Sequence, residues 1–223
     1  MDIRDFLKYF SRLLMLLLVM PVTNVVRGLV ARKMGDDTAD REGRLTLNPL
    51  SHLDPLGSLM IMLIGFGWSK PMPINFVRMK DMRKGVIAVS LAGPLTHFLY
   101  AIVCLNIVAI LNYISIFGKA TLSVAIILII LEQINVCLGV INLLPLPPMD
   151  GFQVLNQLAG PKFHNWYYRD YQRINTISTV ILFALFFCGE LTNGTFDPLG
   201  WLIGLFQYLL SFTAAWVPAV FGK

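Results

Sequence analysis

Long apolar runs constrain this chain more than any other feature. Segments 86–113, 122–144 and 199–220 each exceed the roughly 20 mostly apolar residues that a helix needs to cross a hydrocarbon core. A fourth, 6–26, carries Lys8 and Arg12 near its start, where long cationic side chains snorkel toward headgroups. No small-residue cleavage site follows it cleanly, so it reads as a retained helix rather than a signal peptide. Segment 174–188 is marginal in length. Segment 56–68, about 13 residues, is short for a span and suits a tilted or re-entrant piece. Composition agrees: 56% of residues are hydrophobic and 14% charged, against about 25% charged in a soluble domain. An ordinary soluble domain and a disordered chain are both excluded. Three cysteines exclude a disulfide framework. The expectation is an α-helical polytopic membrane protein, a single membrane domain over 1–223 with about six apolar segments.

The net charge is +5. The Lys and Arg residues lie mostly between apolar segments and form no stripe interleaved with exposed aromatics, which excludes a nucleic-acid partner. Lys70, Arg78, Lys80, Arg83 and Lys84 follow the second segment; Lys162, Arg169 and Arg173 follow the fourth. With six crossings, the positive-inside bias places these two loops and both termini in the cytoplasm. Between the first two segments, Gly43 to Pro49 reads as a short strand that stops at its proline. Such a strand is either interfacial or packed inside the bundle.

Asp150 stands two residues beyond the last of Pro145, Pro147 and Pro148, which lack the N–H groups a continuing helix requires. The carboxylate either caps the next helix, 151–158, or lines a polar pocket at membrane depth. The run Leu144-Pro145-Leu146-Pro147-Pro148-Met149-Asp150-Gly151 resembles the proline-rich aspartate motif of site-2 proteases, the intramembrane zinc metalloproteases. Runs 35–39 and 43–57 resemble the stretch that follows the catalytic helix in compact bacterial and archaeal members, and 65–73 and 91–94 match further motifs. The resemblance covers about residues 20–160, with two further apolar segments over 174–220. It implies a site-2-protease-like core in a prokaryotic cell membrane.

In that family two histidines of a His-Glu-x-x-His helix share one zinc ion, the glutamate activates its water, and the motif aspartate is the third ligand. The family's spacing places this motif at 23–27. Thr23 and Arg27 stand where the histidines belong, and Asn24 where the glutamate belongs. Thr is a poor zinc ligand, Asn is no base at neutral pH, and Arg keeps its proton. The motif has not moved elsewhere: the histidines are His52, His97 and His164, the glutamates Glu42, Glu132 and Glu190, and no His-Glu-x-x-His exists in the chain. Asp150 alone keeps a metal-ligand position, and no zinc is expected. Arg27 has two readings. It snorkels to water from its helix end, or it pairs with Asp150 where the resemblance puts the metal, compensating a buried carboxylate.

His52 reads as a backbone hydrogen-bonding residue and His97 as an intramembrane structural one; either could join Asp150 in an ectopic metal site. Asn135 and Asn142 lie seven apart, two helical turns, on one face. They are candidates for a substrate groove or for interhelical hydrogen bonds. Cys104, Cys137 and Cys188 read as small hydrophobes. Three functions stay open. The first is a non-catalytic relative of site-2 proteases that binds transmembrane segments of other membrane proteins. The second is an intramembrane zinc metalloendopeptidase whose motif was removed by substitution. The third is a transporter or channel, resting on Glu132, although no paired halves are visible.

Overall fold

The computed structural model describes residues 3–64, 67–113 and 119–221. The first apolar run forms one rod: α1 (Ile3–Leu14), a π-helical stretch (Met15–Val19) and α2 (Met20–Met34). Gly35 ends it with a left-handed φ of 109°, its N–H closing on the carbonyls of Ala31 and Arg32. Short helices α3 (Thr38–Arg41) and α4 (Pro55–Ile64) follow. Then come the two long helices, α5 (Met82–Tyr113) and α6 (Lys119–Leu143). The prolines stop α6, and the chain turns through a cis Pro147–Pro148 bond into α7 (Asp150–Leu158). The remainder is α8 (Pro161–Arg169), α9 (Tyr171–Leu191), α10 (Pro198–Ser211) and α11 (Val217–Phe221). Asp197 starts α10 by accepting the Gly200 N–H at 2.8 Å.

α5 is the axis of the bundle, packed against α2, α6 and α7. One cluster joins Met15, Leu16, Val19 and Met20 to Ile61, Cys104, Leu131 and Leu138, so the rod's midpoint is gripped by α4, α5 and α6. A second joins Phe98 and Ala101 to Val136 and Val140, with α10 leaning on it. Between helices in hydrocarbon, close packing rather than water release supplies the attraction, so small residues matter. Gly139 is one: a Cβ there would come within 2.7 Å of the Phe98 ring. Phe98 in turn stacks on Phe206 of α10, centroids 5.3 Å apart.

Five helices are long and apolar enough to cross a membrane, including the rod over Asp5–Met34, longer than the expected 6–26. The chain is a multi-pass membrane protein. Segment 56–68 is not among those five helices, as its described helix is shorter. Its helix, α4, has 10 residues and rises about 15 Å, half of a roughly 30 Å core; residues 65 and 66 lie outside the described residues. The expectation of two cytoplasmic termini holds only for six crossings, and five helices here have the length and hydropathy to cross.

The strand expected at Gly43–Pro49 is also corrected. Among the described residues there is no strand. The segment has no neighbouring strand to pair with, and local groups take its polar atoms instead. The Thr46 carbonyl accepts from His52 Nε2 at 2.7 Å, the Thr46 hydroxyl accepts the Asn48 N–H, and the Asn48 side chain accepts the Leu50 N–H.

Candidate functional site

α2 carries Thr23, Asn24 and Arg27, and the first residue of α7 is Asp150. The fold brings the two together. Arg27 Nη2 donates to Asp150 Oδ1 at 2.8 Å and Nη1 to Oδ2 at 2.9 Å, a parallel two-bond fork. The side chains keep 28% and 11% of their exposure, so the carboxylate is the more deeply buried partner. Its place at a helix N-terminus adds the favourable end of the α7 dipole. Gly93 of α5 backs the pair: a Cβ there would stand 3.2 Å from Arg27 Nη1 and 3.5 Å from Asp150 Oδ2. The proline turn before Asp150 is tied to α9 by Ser178, whose hydroxyl donates to the Pro147 carbonyl.

Thr23 and Asn24 point elsewhere. The Thr23 hydroxyl donates to the Val19 carbonyl of its own helix at 2.9 Å. Asn24 Nδ2 donates to Ser69 Oγ at 2.9 Å, and also reaches the Lys70 carbonyl and His52 Nδ1 at 3.4 Å each. His52 is fully buried and bridges Asn24 to Thr46. Asn24 therefore ties α2 to the two loops that flank α4. Sequence reasoning missed Ser69 and Lys70 as partners, although both lie in the matched run 65–73.

The remaining candidates separate. Asn135 is buried between α5 and α6; its Oδ1 accepts from His97 Nδ1 at 2.9 Å and its Nδ2 donates to the Leu131 carbonyl. Asn142 donates to the Leu138 carbonyl of its own helix and does not join them. Glu132 is buried, 3.4 Å from Gln207 Nε2 of α10. Beyond the end of α2, Asp36 clamps the following loop, accepting the Thr38 N–H and hydroxyl and the Asn75 N–H. Burial alone would push its carboxyl up; those hydrogen bonds and nearby Arg78 outweigh burial and hold it below the usual carboxylate range.

These residues do not fit a zinc ion. Both oxygens of Asp150 are engaged by a guanidinium that keeps its own proton. Among the described residues, no three His, Cys, Asp or Glu side chains gather closely enough to hold a metal. The arrangement can instead hold a charge pair and stitch helices to loops.

The structure is a helical, multi-pass bundle with an aspartate at a proline-broken helix, facing the rod's α2 segment. Residues 106–186, which contain Asn135, Asn142 and Asp150, match the profile of peptidase family M50. YwhC of Bacillus subtilis (strain 168), whose name gives it provisionally as a zinc metalloprotease, is 40% identical over 134 residues, 59% of this chain and 61% of YwhC. The chain thus spans less than two thirds of that relative's length. No solved structure matches. Over residues 106–186 the chain is thus similar to peptidase family M50, the site-2 proteases.

Proposed function

We propose that this chain is a non-catalytic member of the site-2 protease family, which binds transmembrane segments of other membrane proteins without cutting them. The observation that carries the reading is the Arg27–Asp150 fork. The guanidinium satisfies the one carboxylate that the family pattern would give to a metal. Asn24, at the position of the water-activating glutamate, has an amide that accepts no proton at neutral pH and is spent on Ser69. Client binding rests on the resemblance of the bundle to an enzyme core that accepts transmembrane helices.

Elemental mass spectrometry of the detergent-purified chain, without added chelator and beside Asp150→Ala, tests the first half. The expected result is near-zero zinc in both. About one zinc per chain, lost in the variant, would overturn it. Binding of a labelled single-span peptide in nanodiscs tests the second half, and no saturable binding would refute it. The name of YwhC favours a second reading, an intramembrane zinc metalloendopeptidase disabled by substitution in this chain. Under that reading, Thr23→His, Asn24→Glu and Arg27→His together restore zinc binding and cleavage of a transmembrane peptide. An inert triple variant counts against it.

A further inference from the structure

We infer that the groove between α1 and α6 is a binding site for one anionic phospholipid. The inference is independent of the proposed function. The rod over Asp5–Met34 has 30 residues and rises about 45 Å, some 15 Å more than a hydrocarbon core of roughly 30 Å. Charges bracket its apolar middle, with Asp5, Lys8 and Arg12 in the first turns and Arg32 and Lys33 in the last, so the excess length lets each end reach headgroups.

Lys8 and Arg12 stand one turn apart and both line a groove of about 720 Å³. Arg12 is held in place. Its Nη1 donates to the carbonyls of Met62 and Leu63 at 2.6 and 2.9 Å, at the end of α4, and its guanidinium lies 5.7 Å from the centre of the Tyr9 ring. Lys8 is exposed and, among the described residues, makes no ion pair, not even with Asp5 one turn back. Glu132, on α6, is engaged with Gln207 of α10 rather than with either cation. The groove mouth therefore carries two positive charges, with Arg12 turned partly to carbonyls and Lys8 open.

Away from the two cations the wall is mostly aliphatic, with Gln133 and Cys137 the exceptions. Ile126, Ile130 and Ile134 repeat every four residues on one face of α6, and Ile64 closes the other side. The α6 lining runs from Ile126 to Cys137, about 16 Å of helix. That is the depth one leaflet's acyl chain fills, half of a roughly 30 Å core. A cationic mouth over an aliphatic slot of one-leaflet depth fits a phosphate headgroup joined to an acyl chain. A neutral zwitterionic lipid would fill the slot but leave the two cations without a net counter-charge.

Native mass spectrometry of the full chain, stripped of lipid in detergent and titrated with dioleoyl phosphatidylglycerol or dioleoyl phosphatidylcholine, tests this. One phosphatidylglycerol per chain should bind about fivefold or more tightly than phosphatidylcholine, the scale of one lysine near an anionic headgroup. Lys8→Gln, a change on an exposed side chain, should remove most of that preference. Ile130→Trp, which fills the slot, should remove binding of both lipids. Equal affinity for the two lipids, a preference that survives Lys8→Gln, or phosphatidylglycerol binding undiminished in Ile130→Trp would each overturn the assignment.

Discussion

Replacing Arg27 by methionine keeps most of the side chain's volume and deletes its charge. Asp150, which keeps 11% of its side-chain exposure, then faces α5 with two unmet carboxylate oxygens. Breaking a fully buried ion pair from one side costs about 3–5 kcal/mol. Arg27 retains 28% exposure, so water partly reaches the site and the expected loss is about 2–4 kcal/mol. Asp150→Leu should cost less, because the freed guanidinium can extend toward water while a buried carboxylate cannot. The pair of changes together should recover much of the loss, since an apolar pair of similar volume is often neutral to stability. A double-mutant cycle therefore predicts a coupling of about 2 kcal/mol between the two residues. Reversible unfolding in mixed detergent–SDS micelles, followed by circular dichroism, supplies the four free energies. If Arg27→Met lies within about 0.5 kcal/mol of the parent, or the coupling vanishes within error, the fork does not hold this site together.

Gly151→Ala should destabilise by about 2 kcal/mol, read as a lower midpoint in the same unfolding assay, because its Cβ would press on the carbonyls of Leu143 and Leu144, which are backbone and cannot swing aside. An unchanged midpoint would show that α7 does not press on the end of α6 as described. Asp36 predicts a pH effect. Its folded carboxyl titrates below the unfolded value of about 3.9, so its stabilisation is complete above that pH and is lost as pH falls through the folded value. Asp36→Asn should therefore be less stable than the parent at pH 6, and the gap should close on acidification below pH of about 4. A gap that stays constant down to about pH 3 would exclude the assigned shift.

Much of the site was legible because its pieces are punctuated. Gly35 marks where α2 ends, and the three prolines mark where α6 must stop, so Arg27 and Asp150 could be located before their contact was seen. The partnership of His97 with Asn135 was less visible. Each stood out as polar in an apolar run, but only the register of α5 on α6 says that they meet. Arg12 was read as snorkelling, whereas it closes the end of a helix 50 residues away, a relation no local pattern contains. The strand at Gly43–Pro49 failed for a similar reason. Strand propensity describes one segment, while a strand needs an edge to pair with, and here His52 and Asn48 met the backbone's needs first. Segment 56–68 was counted as a segment by hydropathy, but its 10-residue helix does not reach across.

The π-helical stretch Met15–Val19 sets the clock for everything downstream of it on the rod. Each residue added to or taken from a helix turns the part beyond it by about 100°. Arg27 faces Asp150, and Asn24 faces Ser69, only at the present phase. A π turn holds one residue more than an α turn, so deletion of a single residue between Met15 and Val19 would let the rod relax to an ordinary α-helix with both side chains near their present phase, whereas the same deletion between Met20 and Thr23 would turn both about a quarter-circle from their partners. The one widened turn thus acts as slack in the rod, and the length of the α-helical part beyond it is what holds the two side chains to their partners.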